Sequence, residues 1–179
     1  PLQFRPFNFR RASGVTLIEM MIGLVIVSIG MSIAIPSFQG MIARNTVATE
    51  VNEMLLAVNL ARSEASRTGS SVSIRAVTPT EANEFGAGWC VVATTQVDCS
   101  ANVIRAFSSI NPSATLNLVD AGGETAITFS ARGGLRNFAN VSIDYCYDGQ
   151  QGRRLFISPI GRSKSHRPDD IDESRRPDC

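Results

Sequence analysis

Between residues 20 and 43 the chain carries no charged side chain, and most positions are Met, Ile, Leu, Val, Ala or Gly. A helix rising about 1.5 Å per residue over such a run can cross a hydrocarbon layer of roughly 30 Å. This run is a membrane-spanning candidate, with a short leader before it and the bulk of the chain after it. Arg5, Arg10 and Arg11 stand ahead of the run, and Arg44 is the next charge behind it. The excess of positive charge in front predicts a cytoplasmic N-terminus, with the C-terminal bulk across the membrane.

An ordinary secretory signal ends its apolar region with a small-residue cleavage site. Here the small pair Ser13-Gly14 precedes the apolar run and leads into Val15-Thr16-Leu17-Ile18-Glu19. That order resembles the prepilin signal of type IV pilins and type II secretion pseudopilins. The resemblance implies that a prepilin peptidase cuts after Gly14 and methylates the new N-terminus at Val15, where most relatives have Phe. The chain then divides into a leader (1–14), a transmembrane and filament-core helix (15–43), an amphipathic continuation of that helix (44–69) and a β-rich body (70–179).

A carboxylate at mid-bilayer costs about 2.5–3.5 kcal/mol even on mild insertion scales, so Glu19 calls for a reason. It is either solvated near the headgroups or employed. The resemblance implies employment: the family's glutamate at this position pairs with the N-terminal amine of a neighbouring subunit during assembly. Burying two opposite charges together makes each tolerable. Pro36 removes one backbone bond and is expected to kink or loosen the helix, and a proline in that region recurs among pilins. Gly23, Ser28 and Gly30 are small enough to admit a neighbouring helix.

Beyond Arg44 the pattern becomes one-sided. Val47, Val51, Met54, Leu55, Val58, Ala61 and Ala65 recur at three- and four-residue steps, and Asn45, Glu50, Asn52, Glu53, Asn59, Arg62, Glu64 and Arg67 fill the other face. Thr68-Gly69 is the expected stop. About seven short strands follow, around Val72-Ser73-Ile74, Gly88-Trp89-Cys90-Val91-Val92, residues 103–107, Thr115-Leu116-Asn117-Leu118, residues 126–129, residues 141–145 and Leu155-Phe156-Ile157-Ser158. Gly122-Gly123, Gly133-Gly134 and Asp148-Gly149 supply turns. The expected fold class is α+β: a long, partly transmembrane N-terminal helix packed on an antiparallel β-sheet.

Four segments narrow the resemblance. Leu60-Ala61-Arg62-Ser63-Glu64-Ala65, Gly86-Ala87-Gly88-Trp89, Ile127-Thr128-Phe129 with Gly133-Gly134, and Ile157-Ser158-Pro159-Ile160-Gly161-Arg162 are similar to the GspH/FimT family. That family contains the pseudopilin H of type II secretion and the minor pilins FimT and FimU, and it implies a pilin fold.

The four cysteines, Cys90, Cys99, Cys146 and Cys179, all follow the apolar run. In an oxidising compartment they are expected to pair. Of three connectivities, Cys90–Cys99 and Cys146–Cys179 are favoured, the second stapling the tail to the body. Zinc is the competing reading, disfavoured by the cysteine spacing and by a single histidine, His166. No phosphate loop, Gly-x-Ser-x-Gly elbow or ligand-spaced carboxylate pair appears. The chain therefore reads as a non-enzyme with no cofactor.

Without the leader's three arginines, 14 basic residues face 16 acidic ones, so bulk charge does not mark a nucleic-acid binder. A local patch does exist. Residues 149–167 contain Arg153, Arg154, Arg162, Lys164 and Arg167 and no acid, whereas 168–179 holds Asp169, Asp170, Asp172, Glu173 and Asp178 against Arg175 and Arg176. The basic segment is a candidate phosphate-binding surface, unless the acidic end folds back on it. In FimT-like pilins that serve DNA uptake, a Gly-Arg-x-Arg motif contributes to DNA binding; here the matching residues are Gly161-Arg162-Ser163-Lys164. Lysine keeps the charge and loses the bidentate fork.

The function implied is that of a minor pilin incorporated into a type IV pilus, priming assembly at or near its tip, with DNA capture for natural transformation as a further role. A type II secretion pseudopilin contacting exported cargo is the alternative. Expected partners are major and minor pilins, prepilin peptidase and the inner membrane, with non-sequence-specific DNA as a further candidate. Before assembly the protein would be a single-pass inner-membrane protein, and afterwards part of a periplasmic or extracellular pilus.

Overall fold

The computed structural model describes residues 14–79, 83–119, 125–137, 139–147, 150–172, 177 and 179. Arg5, Arg10, Arg11, the Gly122-Gly123 and Asp148-Gly149 turns, Glu173, Arg175, Arg176 and Asp178 lie outside the described residues. The chain divides into two units at Met41/Ile42, and each is described by itself. Helix α1 spans Leu17–Thr68 and contributes to both. Its assignment continues without a break through Pro36.

In the second unit, α1 buries Ala43, Val47, Val51, Met54, Ala57, Val58, Ala61 and Ala65, a stripe at steps of three and four residues. It ends at Gly69, whose φ of +65° reverses the chain. Eight strands follow: β1 (Val72–Ala76), β2 (Trp89–Ala93), β3 (Val103–Phe107), β4 (Ala114–Val119), β5 (Ala126–Phe129), β6 (Val141–Tyr147), β7 (Gln150–Ile157) and β8 (Ser163–His166). A single turn of 3₁₀ helix, Pro168–Asp170, comes after them.

The fold is α+β as the sequence predicts, but the strands form two antiparallel sheets of four rather than one sheet of seven. The first has the order β3-β2-β1-β5 and the second β4-β6-β7-β8. Width explains the split. Seven strands spaced by about 4.8 Å would make a sheet roughly 30 Å across, while one helix covers about 10–12 Å. Two narrower sheets instead share one core with α1, in which Met54, Val58 and Ala61 cluster with Ile74, Trp89 and Phe129 of the first sheet and Leu116, Ile143 and Tyr145 of the second.

Loops cover two sheet edges that would otherwise invite pairing with another chain. Along β4, the Phe85 amide donates to the Leu116 carbonyl (2.9 Å), Asn83 Nδ2 donates to the Ala114 carbonyl (3.0 Å), and the Leu118 amide donates to Glu84 Oε2 (3.2 Å). Along β5, the Arg136 amide donates to the Thr128 carbonyl (2.9 Å). Its neighbour Leu135 donates to the Pro159 carbonyl (2.8 Å), which ties the edge of the first sheet to the turn before β8.

Candidate functional site

In the first unit, Thr16 begins the helix. Its Oγ1 accepts from the Glu19 amide at 3.3 Å, and its carbonyl accepts from the Met20 amide at 3.2 Å. Thr16-Leu17-Ile18-Glu19 is thus the Thr-x-x-Glu spacing of an N-terminal cap, with Glu19 in the first turn where the helix dipole favours an anion. Weighing the glutamate against the bilayer alone misses this local role, although the Thr-x-x-Glu spacing signals it. Gly14 and Val15 precede the helix and are exposed.

Every large apolar side chain from Val15 to Ile42 is more than half exposed. A lone soluble chain does not leave so long an apolar surface uncovered, so lipid or other helices must cover it. The helix is long and apolar enough to cross a membrane. Two of its hydroxyls turn inward to their own backbone: Ser28 Oγ donates to the Val25 carbonyl (2.8 Å) and Ser32 Oγ to that of Ser28 (2.9 Å). A Cβ on Gly23 or Gly30 would meet nothing within 4 Å, so their close-approach faces are open in the single chain.

In the second unit, three segments far apart in sequence meet at Arg62. A Cβ on Gly161 (φ +78°) would fall 2.2 Å from the Gly133 carbonyl oxygen and 3.0 Å from Arg62 Nε. A Cβ on Gly133 (φ +75°) would lie 3.4 Å from the same Nε. The glycines let two loops close over the arginine stem where side chains could not fit. Three of the segments that carried the family resemblance are therefore one packing unit.

The five basic residues are divided by the structure. Arg154 faces Asp144 across the β6–β7 ladder and donates from Nε to Oδ1 and from a terminal nitrogen to Oδ2, both at 2.6 Å. Asp144 is only 6% exposed, so this guanidinium serves a buried carboxylate and is not available as a free phosphate contact. Arg162, Lys164 and Arg167 are exposed, Arg153 is half-buried, and among the described residues none of these four forms an ion pair. Ser163–His166 is strand β8, hydrogen-bonded to β7 with Lys164 opposite Phe156 and His166 opposite Arg154, so the basic segment is a hairpin at the edge of the second sheet.

Both favoured disulfides are present, Cys90–Cys99 and Cys146–Cys179, with Cα separations of 5.8 and 5.5 Å. The second brings Cys179 onto β7. A Cβ on Gly152 would lie 2.5 Å from Cys179 Sγ and 2.5 Å from the Tyr145 carbonyl oxygen. Among the described residues no cluster of His, Cys, Asp and Glu could hold a metal ion. Nor does any ion pair among them join Asp169, Asp170 or Asp172 to the basic hairpin; the Asp170 carboxylate instead accepts from the Arg167 amide at 3.3 Å.

The comparisons with known proteins agree with this geometry. The family described as "Type II transport protein GspH" matches residues 50–161, which include Arg62, Gly133, Gly161 and most of both sheets. The chain belongs to the GspH family. A separate "Prokaryotic N-terminal methylation motif" matches residues 9–35, across Gly14, Val15 and Glu19. No curated protein matches the chain. Among solved structures, two crystal forms of the type IV minor pilin FimU of Pseudomonas aeruginosa are similar to this GspH-family chain. They are 23% and 24% identical, with TM-scores of 0.59 and 0.55; the alignments cover 75% of this chain and 95% and 97% of theirs. At that identity the likeness establishes the pilin fold.

Proposed function

We propose that this GspH-family chain is a minor pilin that enters a type IV pilus through α1 and primes assembly at or near the tip. The uncovered apolar surface from Val15 to Ile42, with a carboxylate at its start, carries the reading. Prepilin peptidase cleaves after Gly14 and methylates Val15, the helix waits in the inner membrane, and other pilins replace lipid around it. Glu19 then meets the N-terminal amine of a neighbouring subunit. The protein acts by packing and performs no catalysis.

Expression in a peptidase-competent host tests the processing: the mature mass should begin at N-methylated Val15. Deletion of the gene should reduce surface pili, and complementation with Glu19→Ala should fail while the variant still accumulates in the membrane. A mature chain lacking residues 15–41 would end the proposal. Scoring twitching, DNA uptake and protein export separately decides between the pilus and the secretion alternative, since loss of export alone would make the chain a pseudopilin.

A second reading, DNA capture during transformation, is supported by Arg162, Lys164 and Arg167, which are exposed together without ion-pair partners among the described residues. Such a surface binds any sequence weakly, with Kd of order 10⁻⁴–10⁻⁶ M at physiological salt.

A further inference from the structure

A cleft of about 370 Å³ lies beside β5, bounded by β1, by residues 135–137 and by Val141 at the start of β6. Arg75 of β1 lines one part of it and Arg136, beside β5, another; Thr94, Thr125, Thr128 and Asn137 add hydroxyl and amide groups, and the remaining lining is apolar. The positions follow from the ladder. Ser73 and Arg75 alternate with the core residues Val72 and Ile74 and so lie on the opposite face of the sheet; Thr128 is opposite Ser73, and the Arg136 amide binds the Thr128 carbonyl.

Among the described residues little balances the charge in this cleft. Arg75 is half-buried, and its Nε is shut off from solvent with no acceptor. Among the described residues no carboxylate is within ion-pair distance of Arg75 or Arg136. Asp98 feels Arg75 only as a minor influence: its carboxyl is held below the usual range first by the Ser100 hydroxyl and amide. A guanidinium held in a partly closed site without an acceptor is an incomplete arrangement. Ser73 is fully buried and bonds Thr128 Oγ1 at 2.9 Å; with Ser73 as donor, the Thr128 hydrogen is left for a ligand.

We propose that this cleft binds the phosphate group of a nucleotide, free or within a nucleic-acid strand, between Arg75 and Arg136. Two cations and several hydroxyl donors exceed what the two oxygens of a carboxylate can accept, and suit a tetrahedral oxyanion. The volume also exceeds a bare ion and leaves room, over the apolar lining, for the attached sugar or base. The site does not depend on the filament role, and none of Arg162, Lys164 and Arg167 lines it.

The test is calorimetric titration of the full processed chain in detergent with adenosine 5′-monophosphate, adenosine and glutarate. The monophosphate should bind at least about tenfold more tightly than either, the difference one charge-assisted hydrogen bond makes. Arg75→Gln and Arg136→Gln should each weaken it about fivefold or more, while Arg162→Ala with Lys164→Ala should leave it unchanged. Arg136 is exposed, so its variant carries the test if Arg75→Gln fails to fold. Equal binding of adenosine, equal binding of glutarate, or an unaffected Arg136→Gln would overturn the proposal. Competition by a twelve-residue thymidine oligonucleotide would assign the phosphate to a strand, and failure to compete would assign it to the free nucleotide.

Discussion

Tyr145 of β6 donates its phenolic hydrogen to Oε2 of Glu50 on α1, whose Oε1 accepts from the Asn111 amide at 2.9 Å. One helix carboxylate thus fastens both the second sheet and the loop before β4. Burial, and then the hydrogen bond and charge of Glu50, push the Tyr145 phenol far above its usual value. A raised folded-state value means that its stabilisation is complete below the unfolded value of about 10 and is lost as pH rises further. With Tyr147→Phe, Tyr145 is the only tyrosine left. The phenolate absorbance of that variant should then appear only on alkaline unfolding, and a titration midpoint near pH 10 in the folded protein would contradict the hydrogen bond. Tyr145→Phe should cost about 2 kcal/mol, seen as a Tm several degrees lower.

Glu84 gives the opposite result from a carboxylate. Burial against β4 raises its value, and the hydrogen bond from the Leu118 amide only partly offsets this. A raised value means that stability is greatest with the group protonated and falls as pH rises through the folded value. Glu84→Gln should therefore match or exceed the parent in Tm at pH 7, with the advantage gone below about pH 4, where the carboxyl is already neutral. Thermal melts at the two pH values check this, and a large loss at pH 7 would show that the charge is needed.

The two disulfides should contribute unequally. Cys146–Cys179 joins residues 33 apart and Cys90–Cys99 residues 9 apart. Chain entropy assigns roughly 3.5–4 kcal/mol to the longer loop and roughly 2.5–3 to the shorter. Denaturant titration of the two double serine variants should rank them in that order. Gly152→Ala should be destabilising even without the Cys146–Cys179 bond, because the added carbon would still lie 2.5 Å from the Tyr145 carbonyl oxygen.

What the sequence made legible was local or periodic. The stripe from Val47 to Ala65, the stop at Gly69 and seven of the strands follow from spacing and turn residues. Strand β8 was not legible because Ser163-Lys164-Ser165-His166 has no apolar alternation; it is a strand because β7 offers it an edge. Register was harder still. Tyr147 pairs with Gln150, and extending that pairing evenly would set Asp144 opposite Arg153. The irregularity between Tyr145 and Tyr147 shifts the ladder by one and puts Asp144 opposite Arg154. The Arg75 and Arg136 cleft joins residues distant in the chain, and no short motif marks it.

That one-residue shift separates structural arginine from available arginine. Asp144 is 6% exposed, and removing its partner would leave a buried charge uncompensated. Arg154→Ala should therefore cost about 3–5 kcal/mol. The exposed changes Arg162→Ala, Lys164→Ala and Arg167→Ala should each stay within about 0.5 kcal/mol. DNA retardation should show the reverse order. Arg162→Ala with Lys164→Ala should weaken binding to duplexes of any sequence and reduce the slope of log affinity against log salt by about 1.8, or 0.9 for each phosphate no longer neutralised. Unchanged retardation in low salt would remove the DNA reading and leave the fold argument intact, because the Arg154–Asp144 pair is tested by unfolding alone.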